Sequence, residues 1–308
     1  MTTLEASPTL TGPIPPLPSS IQAGRAALAA AASDYLAIPD EALERPWNWG
    51  EHANPDGVRY GIYRGAETLE AASAEVDRGM AGAPVRAPGT LRMAPVTPAR
   101  WALQGRLAAL DDSILDTVPK DGEWTARQTL AHTIEGQRSY GWFSRWWVSQ
   151  PLGPDRPARV TPEAEAASER ELPGEDAEGV GTVAKIRERL DAVVDEWGLR
   201  FAPLDDAQLA IPATWAGIPV DIGFRLGRWG SHIAEHTIQL DKTLDWLGQR
   251  PTEVQRIVLE LHNAWGRLES RIFPNPPPGT EAALTEILQR AGETIVTEAR
   301  SARAAAEA

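Results

Sequence analysis

Apolar residues recur at intervals of three and four through nearly every long segment of this 308-residue chain, and no run of alternating apolar and polar residues is long enough to predict a sheet. The expected class is therefore all-α. The Ala-rich stretch "IQAGRAALAAAASDYLA" favours helix by propensity, and "GVRYGIYRGAETLEAASAEVDRGM" resumes the same periodicity after a loop containing Trp, Pro and Gly. Together they predict an N-terminal helical hairpin over 21–92, behind a flexible Pro-, Thr- and Ser-rich tail over 1–20. The linker "AGAPVRAPGTLRMAPVTP" carries enough Pro and Gly to break any helix.

Four helical segments follow, read as one domain over 97–250. The first, "ARWALQGRLAALDDSILDTVP", is separated by a short turn from "EWTARQTLAHTIEGQRSYGWFSRWW", whose start is marked by Thr125 and Gln128 in the spacing of a capping box. A polar, acidic stretch from Gly153 to Gly179 reads as a crossover loop or a mobile lid. Beyond it lie "VGTVAKIRERLDAVVDEWGLRFAPL" and "DIGFRLGRWGSHIAEHTIQLDKTLDWLG", the latter closing at a Gly248 cap. Two more helices form a C-terminal extension over 251–308. A faint echo links "DEALERPWNW...GVRYGIYRGAE" to "DDAQLAIPATW...GFRLGRWGSH", as a decayed structural repeat would, without histidines at the matching place.

Composition removes several classes of function. With 30 basic against 43 acidic side chains the net charge is −13, which repels a phosphate backbone and an anionic bilayer alike, so neither nucleic acid nor membrane is an expected partner. Cysteine is absent, which excludes disulfides, thiolate metal sites and a cysteine nucleophile. No secretory signal or apolar span is visible, making a cytoplasmic location the default. There is no Gly-rich phosphate loop of the Rossmann or P-loop type and no nucleophile elbow. The twelve tryptophans are expected mainly in the core.

Chemistry concentrates on the histidines. His232 and His236 are one helical turn apart, so their rings emerge on one face and can converge on a single ion at roughly 2.0–2.1 Å. A third ligand must come from another helix, and His132, about two turns beyond the capped start, is the candidate. The alternative is that the pair makes ordinary hydrogen bonds. His52 and His262 show no ligand spacing and are expected to be structural.

The combination of "EWTARQTLAHTIEGQRSYG", an intervening helix and "GRWGSHIAEHTIQLDKTLDWLG" resembles the DinB/YfiT-like superfamily of metalloenzymes, which includes thiol-dependent isomerases and S-transferases. The match rests on Trp124, His132, His232, His236, Leu247 and Gly248, and covers about residues 97 to 250. The resemblance implies a four-helix bundle in which His132, His232 and His236 hold a divalent ion with a position left open for catalysis. Zinc ranks first; nickel, iron and manganese suit the same ligands. It also implies a small-molecule substrate, with a low-molecular-weight thiol as cosubstrate, in transfer, isomerisation or hydrolysis. The N-terminal hairpin and the C-terminal helices lie outside the resemblance.

Neighbouring polar residues are candidates to support such a site. Gln128, Glu135 and Ser139 extend the His132 face as a polar stripe. Arg225 and Arg228, two turns and one turn before His232, can receive a substrate carboxylate; solvated or salt-bridged roles are the alternative. Glu235 makes "HIAEH" fit the His-x-x-Glu-His pattern of inverted zinc peptidases, with Glu260 and Glu269 downstream. The α/β framework of those enzymes is missing, and Glu235 is turned about 100° from its helical neighbour, which suits holding a ring or facing water. Besides the metalloenzyme, two other readings stand: a non-catalytic metal-containing binding module, and a structural protein that forms a homodimer through apolar helix faces.

Overall fold

A computed structural model describes residues 10, 12–49, 52–54 and 57–308, with the backbone alone for 52–54. The expected tail over 1–20 falls partly outside these residues, and the first helix, α1 (Ser19–Leu36), already begins at its end. The remaining long helices are α2 (Gly57–Gly79), α4 (Val96–Leu107), α5 (Ala126–Ser149), α8 (Val183–Phe201), α10 (Ile222–Trp246), α11 (Glu253–Ser270) and α12 (Glu281–Glu307). Short helices α3 (Pro88–Met93), α6 (Pro162–Glu171), α7 (Glu175–Glu178) and α9 (Asp206–Leu209) lie between them. The all-α class expected from the periodicity holds. No helix among the described residues is long and apolar enough to cross a membrane.

Two compact units divide the chain. One comprises Met1–Pro16, Arg86–Val96 and Asp111–Leu247; the other comprises Leu17–Val85, Thr97–Leu110 and Gly248–Ala308. The division is therefore not the contiguous one read from the sequence, because the hairpin before residue 92 and the helices after 250 build a core together. In that second unit α1 and α2 each pack on both α11 and α12. Leu28, Tyr35, Ile62, Leu69, Leu261 and Ile295 are buried there. The body of α4 joins it through Arg100, which, with Arg25 and the Trp265 indole, donates to the fully buried Glu269.

In the first unit α5 packs on α8 and α10, and the six-residue α3 packs on α8 and α10 as well. Aromatic rings link α8 to α10: the Trp197 and Phe201 rings stack at 5.5 Å, and Phe201 meets Trp229 edge-on at 6.4 Å. Where α5 meets α8, Gly141 leaves the room that Trp197 fills, since a Cβ at that position would come 2.2 Å from the indole. Trp47, Trp101, Trp142, Trp147, Trp197, Trp229 and Trp265 are all buried, as expected of a tryptophan-built core.

Three local expectations need correction. The linker before residue 98 does not exclude helix: Pro88 stands in the first turn of α3, where a missing amide costs nothing, and the Gly89 and Thr90 amides donate to the Leu204 and Ala202 carbonyls. The acidic stretch after Gly153 is not a plain loop. Thr161 caps α6, with Pro162 and two acidic residues in its first turn, and α7 follows. Strand structure also exists, as two antiparallel hairpins, β1 (Trp47–Trp49) with β2 (His52–Asn54) and β3 (Pro212–Trp215) with β4 (Ile218–Asp221). Strands of three and four residues are too short for alternation to register.

Those hairpins give the sequence echo a structural counterpart. In one unit a 3-10 turn (Asp40–Ala42), β1, β2 and α2 follow one another; in the other α9, β3, β4 and α10 do the same. Each hairpin delivers the chain directly into a long helix.

Candidate metal centre

The start of α5 is set by a complete capping box: Thr125 Oγ1 accepts from the Gln128 amide at 3.2 Å, and Gln128 Oε1 accepts from the Thr125 amide at 2.9 Å. The start of α10 is set by Asp221, whose carboxylate accepts from the Phe224 amide at 2.6 Å. With both helices fixed in phase and packed together, His132 on α5 faces His232 and His236 on α10.

One nitrogen from each of the three imidazoles lies within 4.8 Å of the others. His232 Nε2 and His236 Nε2 are 3.1 Å apart. Ring centroids are 5.6 Å apart for His132 and His232, 4.8 Å for His132 and His236, and 4.4 Å for His232 and His236. Three nitrogens bonded tetrahedrally at roughly 2.0–2.1 Å would stand about 3.4 Å from one another, so the cluster is close to the spacing a metal requires.

Each ring is held at one nitrogen by a neighbouring side chain. His132 Nδ1 pairs with Glu175 Oε2 at 3.1 Å, and His236 Nδ1 faces Gln239 Oε1 at 2.9 Å. His232 Nδ1 lies 3.0 Å from Gln137 Nε2, while the buried Gln137 Oε1 has no hydrogen-bond partner. Turning that amide over lets Gln137 Oε1 accept from His232 Nδ1–H and leaves the His232 Nε2 lone pair facing His236 Nε2. Metal-bound histidines use this arrangement. Gly136 makes the ring position available: a Cβ there would come 2.5 Å from His232 Cε1.

The electrostatics keep the pair on α10 neutral. Burial drives the pKa of His232 down to about 3, with His236, His132 and Arg228 adding to the effect. Burial also lowers the pKa of His236, partly opposed by its hydrogen bond to Gln239. Neutral imidazole is the form that donates to a metal.

The family model described as the DinB superfamily matches residues 96–240. That segment is similar to the DinB superfamily. A solved structure, YfiT from Bacillus subtilis, described as a probable metal-dependent hydrolase with an unusual four-helix bundle topology, is 17% identical. The alignment covers 68% of this chain and 99% of that one, with a TM-score of 0.33. No curated protein matches the chain.

Within the DinB segment the candidate residues part company. Trp124 sets its ring 5.0 Å from that of His132. Glu135 reaches the His132 side, where burial raises its carboxyl above the usual range, and His132, Glu135 and Glu175 form a second close group. Gln128 is spent in the capping box and exposed, and Ser139 is half-buried. Arg228 and the exposed Glu235 pair with each other at 2.7 and 3.0 Å, so Glu235 neither holds a ring nor acts as a peptidase base. Arg225 is buried instead, bonded to Ser144 and the Thr214 carbonyl.

Outside the DinB segment, His262 is buried and faces the Val258 carbonyl at 2.8 Å, a structural histidine as expected. The His52 side chain lies outside what is described. Glu260 pairs with Arg267 and Asn263, and Glu269 is committed to Arg25, Arg100 and Trp265, so neither is a peptidase ligand.

Sequence reasoning missed Gly136, Gln137, Glu175 and Gln239. Gly136 carried a signal, because it stands one turn after His132 on the face turned to α10. Glu175 carried none: a residue 43 positions from His132 reaches it only because α7 packs on α5.

Proposed function

We propose that the DinB segment is a metal-dependent enzyme acting on a small molecule, with His132, His232 and His236 as the ligands of a divalent ion, zinc first among the candidates. The observation that carries this reading is the approach of three imidazole nitrogens to within 4.8 Å, each ring braced at one nitrogen by a neighbouring side chain. Three nitrogen ligands leave a coordination position free, the mark of a catalytic site. A divalent ion there supplies Lewis acidity and lowers the pKa of a water or thiol that reaches it. The chain has no cysteine, so a thiol must arrive as a low-molecular-weight cosubstrate.

The protein's own residues do the rest. Gln137, Glu175 and Gln239 fix the rings and their tautomers. Glu135, whose burial favours the protonated carboxyl, is placed to hold a proton at its carboxyl oxygen beside His132 and to exchange it with a substrate. Transfer of a thiol, thiol-assisted isomerisation and hydrolysis all use this set.

Elemental analysis of the purified protein tests the reading, with about one divalent ion per chain expected. His132→Ala and His232→Ala should each abolish binding while leaving helicity intact. In cobalt-substituted protein, azide or a small thiol should shift the visible spectrum through the free position. A spectrum indifferent to both would make the ion inert and the protein a binding module instead.

A further inference from the structure

Arg225 and Arg228 begin as equivalent candidates on α10, and the structure separates them. Arg228 is neutralised by Glu235 through two bonds, donates to Ser231 Oγ, and lies over the Trp215 ring at 5.1 Å. Arg225 is only 5% exposed, and its contacts are neutral: Nε donates to Ser144 Oγ at 3.1 Å, and Nη1 donates to the Thr214 carbonyl at 2.7 Å. No carboxylate pairs with it among the described residues. The fully buried Arg100, in contrast, has Glu269 as its counter-ion.

A buried cation without a counter-ion is expensive, because low-dielectric surroundings remove its hydration and nothing replaces the missing negative charge. Burial accordingly pulls the Arg225 pKa down to about 10. A bound anion can supply the missing charge. Ser144 adds a second signal: its hydroxyl is fully buried and accepts from Arg225, yet its own proton has no acceptor among the described residues. Tyr140 completes the surroundings. Its ring stands 5.1 Å from that of His232, and its hydroxyl contacts the Arg228 side chain and lies within electrostatic reach of Arg225.

These residues form one line along the α5–α10 seam. His132, Gly136, Tyr140 and Ser144 recur every fourth position on α5, and Arg225 precedes His232 by seven residues on α10, about 10.5 Å along the axis. We infer that Arg225, with the Ser144 and Tyr140 hydroxyls, seats an anionic oxygen group, a carboxylate or a phosphate, at one end of a substrate whose other end reaches the histidine cluster. The substrate is then an elongated small anion, with about two helical turns between its charge and its reacting group. The anion seat stands on Arg225, Ser144 and Tyr140 alone; assigning the anion to the substrate rests on the metalloenzyme reading.

The experiment is calorimetric titration of the full chain, metal-free and zinc-loaded, with benzoate and separately with inorganic phosphate. Saturable binding that Arg225→Gln weakens at least tenfold, and Arg228→Gln markedly less, is expected, and whichever probe binds more tightly names the anion class. Tyr140→Phe and Ser144→Ala should each weaken binding severalfold, which preserves the test if Arg225→Gln does not fold. Equal binding by Arg225→Gln and the parent, or no binding of either anion, overturns the seat. The two readings fail separately: Arg225-dependent anion binding by a His232→Ala protein that takes up no zinc supports the seat, as does the same binding by a parent that proves metal-free. A protein that binds zinc but neither anion overturns the seat and leaves the metal reading standing.

Discussion

His232 Nε2 and His236 Nε2 face each other at 3.1 Å across one turn of α10, with the His132 ring closing the third side. Two neutral imidazole lone pairs at that distance repel unless a proton or a cation lies between them. Burial holds His232 down to a pKa of about 3, so near neutral pH the bridge is either the N–H of one neutral ring or a cation.

Gly136→Ala should displace the His232 ring, because the added carbon would sit 2.5 Å from Cε1. Alanine favours helix over glycine by about 1 kcal/mol, so helicity should be kept. Zinc affinity, measured by competition with a chromophoric chelator, should fall between about 10- and 100-fold, as when a ligand's support is lost. Unchanged affinity would mean the ring does not need its present position.

Gln137→Leu removes the partner of His232 Nδ1 and should weaken zinc binding by a similar factor. Glu175→Gln should have a smaller effect, since the His132–Glu175 pair is partly open to water, with side-chain exposures of 31% and 43%. The order of the two losses in the same chelator assay is the test.

Metal-free protein should lose stability on acidification through the window set by His232. Its native pKa, about 3, lies below the ordinary value of 6.5, so between those limits the unfolded chain binds a proton that the native state refuses. The contribution is complete above pH 6.5 and declines as pH falls toward 3. Urea midpoints at pH 7, 5.5 and 4.5 should therefore descend, and His232→Gln should flatten that part of the slope. A slope identical in the variant would refute the assignment.

Glu269→Gln removes the buried carboxylate that Arg25 and Arg100 share and should cost about 3–5 kcal/mol, the usual penalty for breaking a buried ion pair from one side. Thermal unfolding should shift to lower temperature while zinc content stays at the parental level. Loss of zinc alongside stability would show that this cluster also supports the histidines.

Helix placement was legible because 3.6-residue periodicity, the Thr125–Gln128 box and Gly248, whose φ is +69°, are local signals. The histidine trio was legible in part: spacing paired His232 with His236, a facing bundle helix made His132 the candidate for the third place, and family resemblance strengthened that choice. The braces were not. Glu175 depends on a four-residue helix that a polar composition hid, and Gln137 looked like any buried-face polar residue until the His232 ring was set against it. The difference between Arg225 and Arg228 was equally invisible, since it depends on Glu235 reaching one and Ser144 the other.

The reciprocal bonds at Thr125 act as an index mark for everything downstream on α5. A single residue inserted between Thr125 and His132 would swing the imidazole about 100° around the rod and carry Tyr140 and Ser144 with it. The distance from cap to ring is thus a counted length, and one miscount would scatter the proposed ion ligands and the proposed anion seat together.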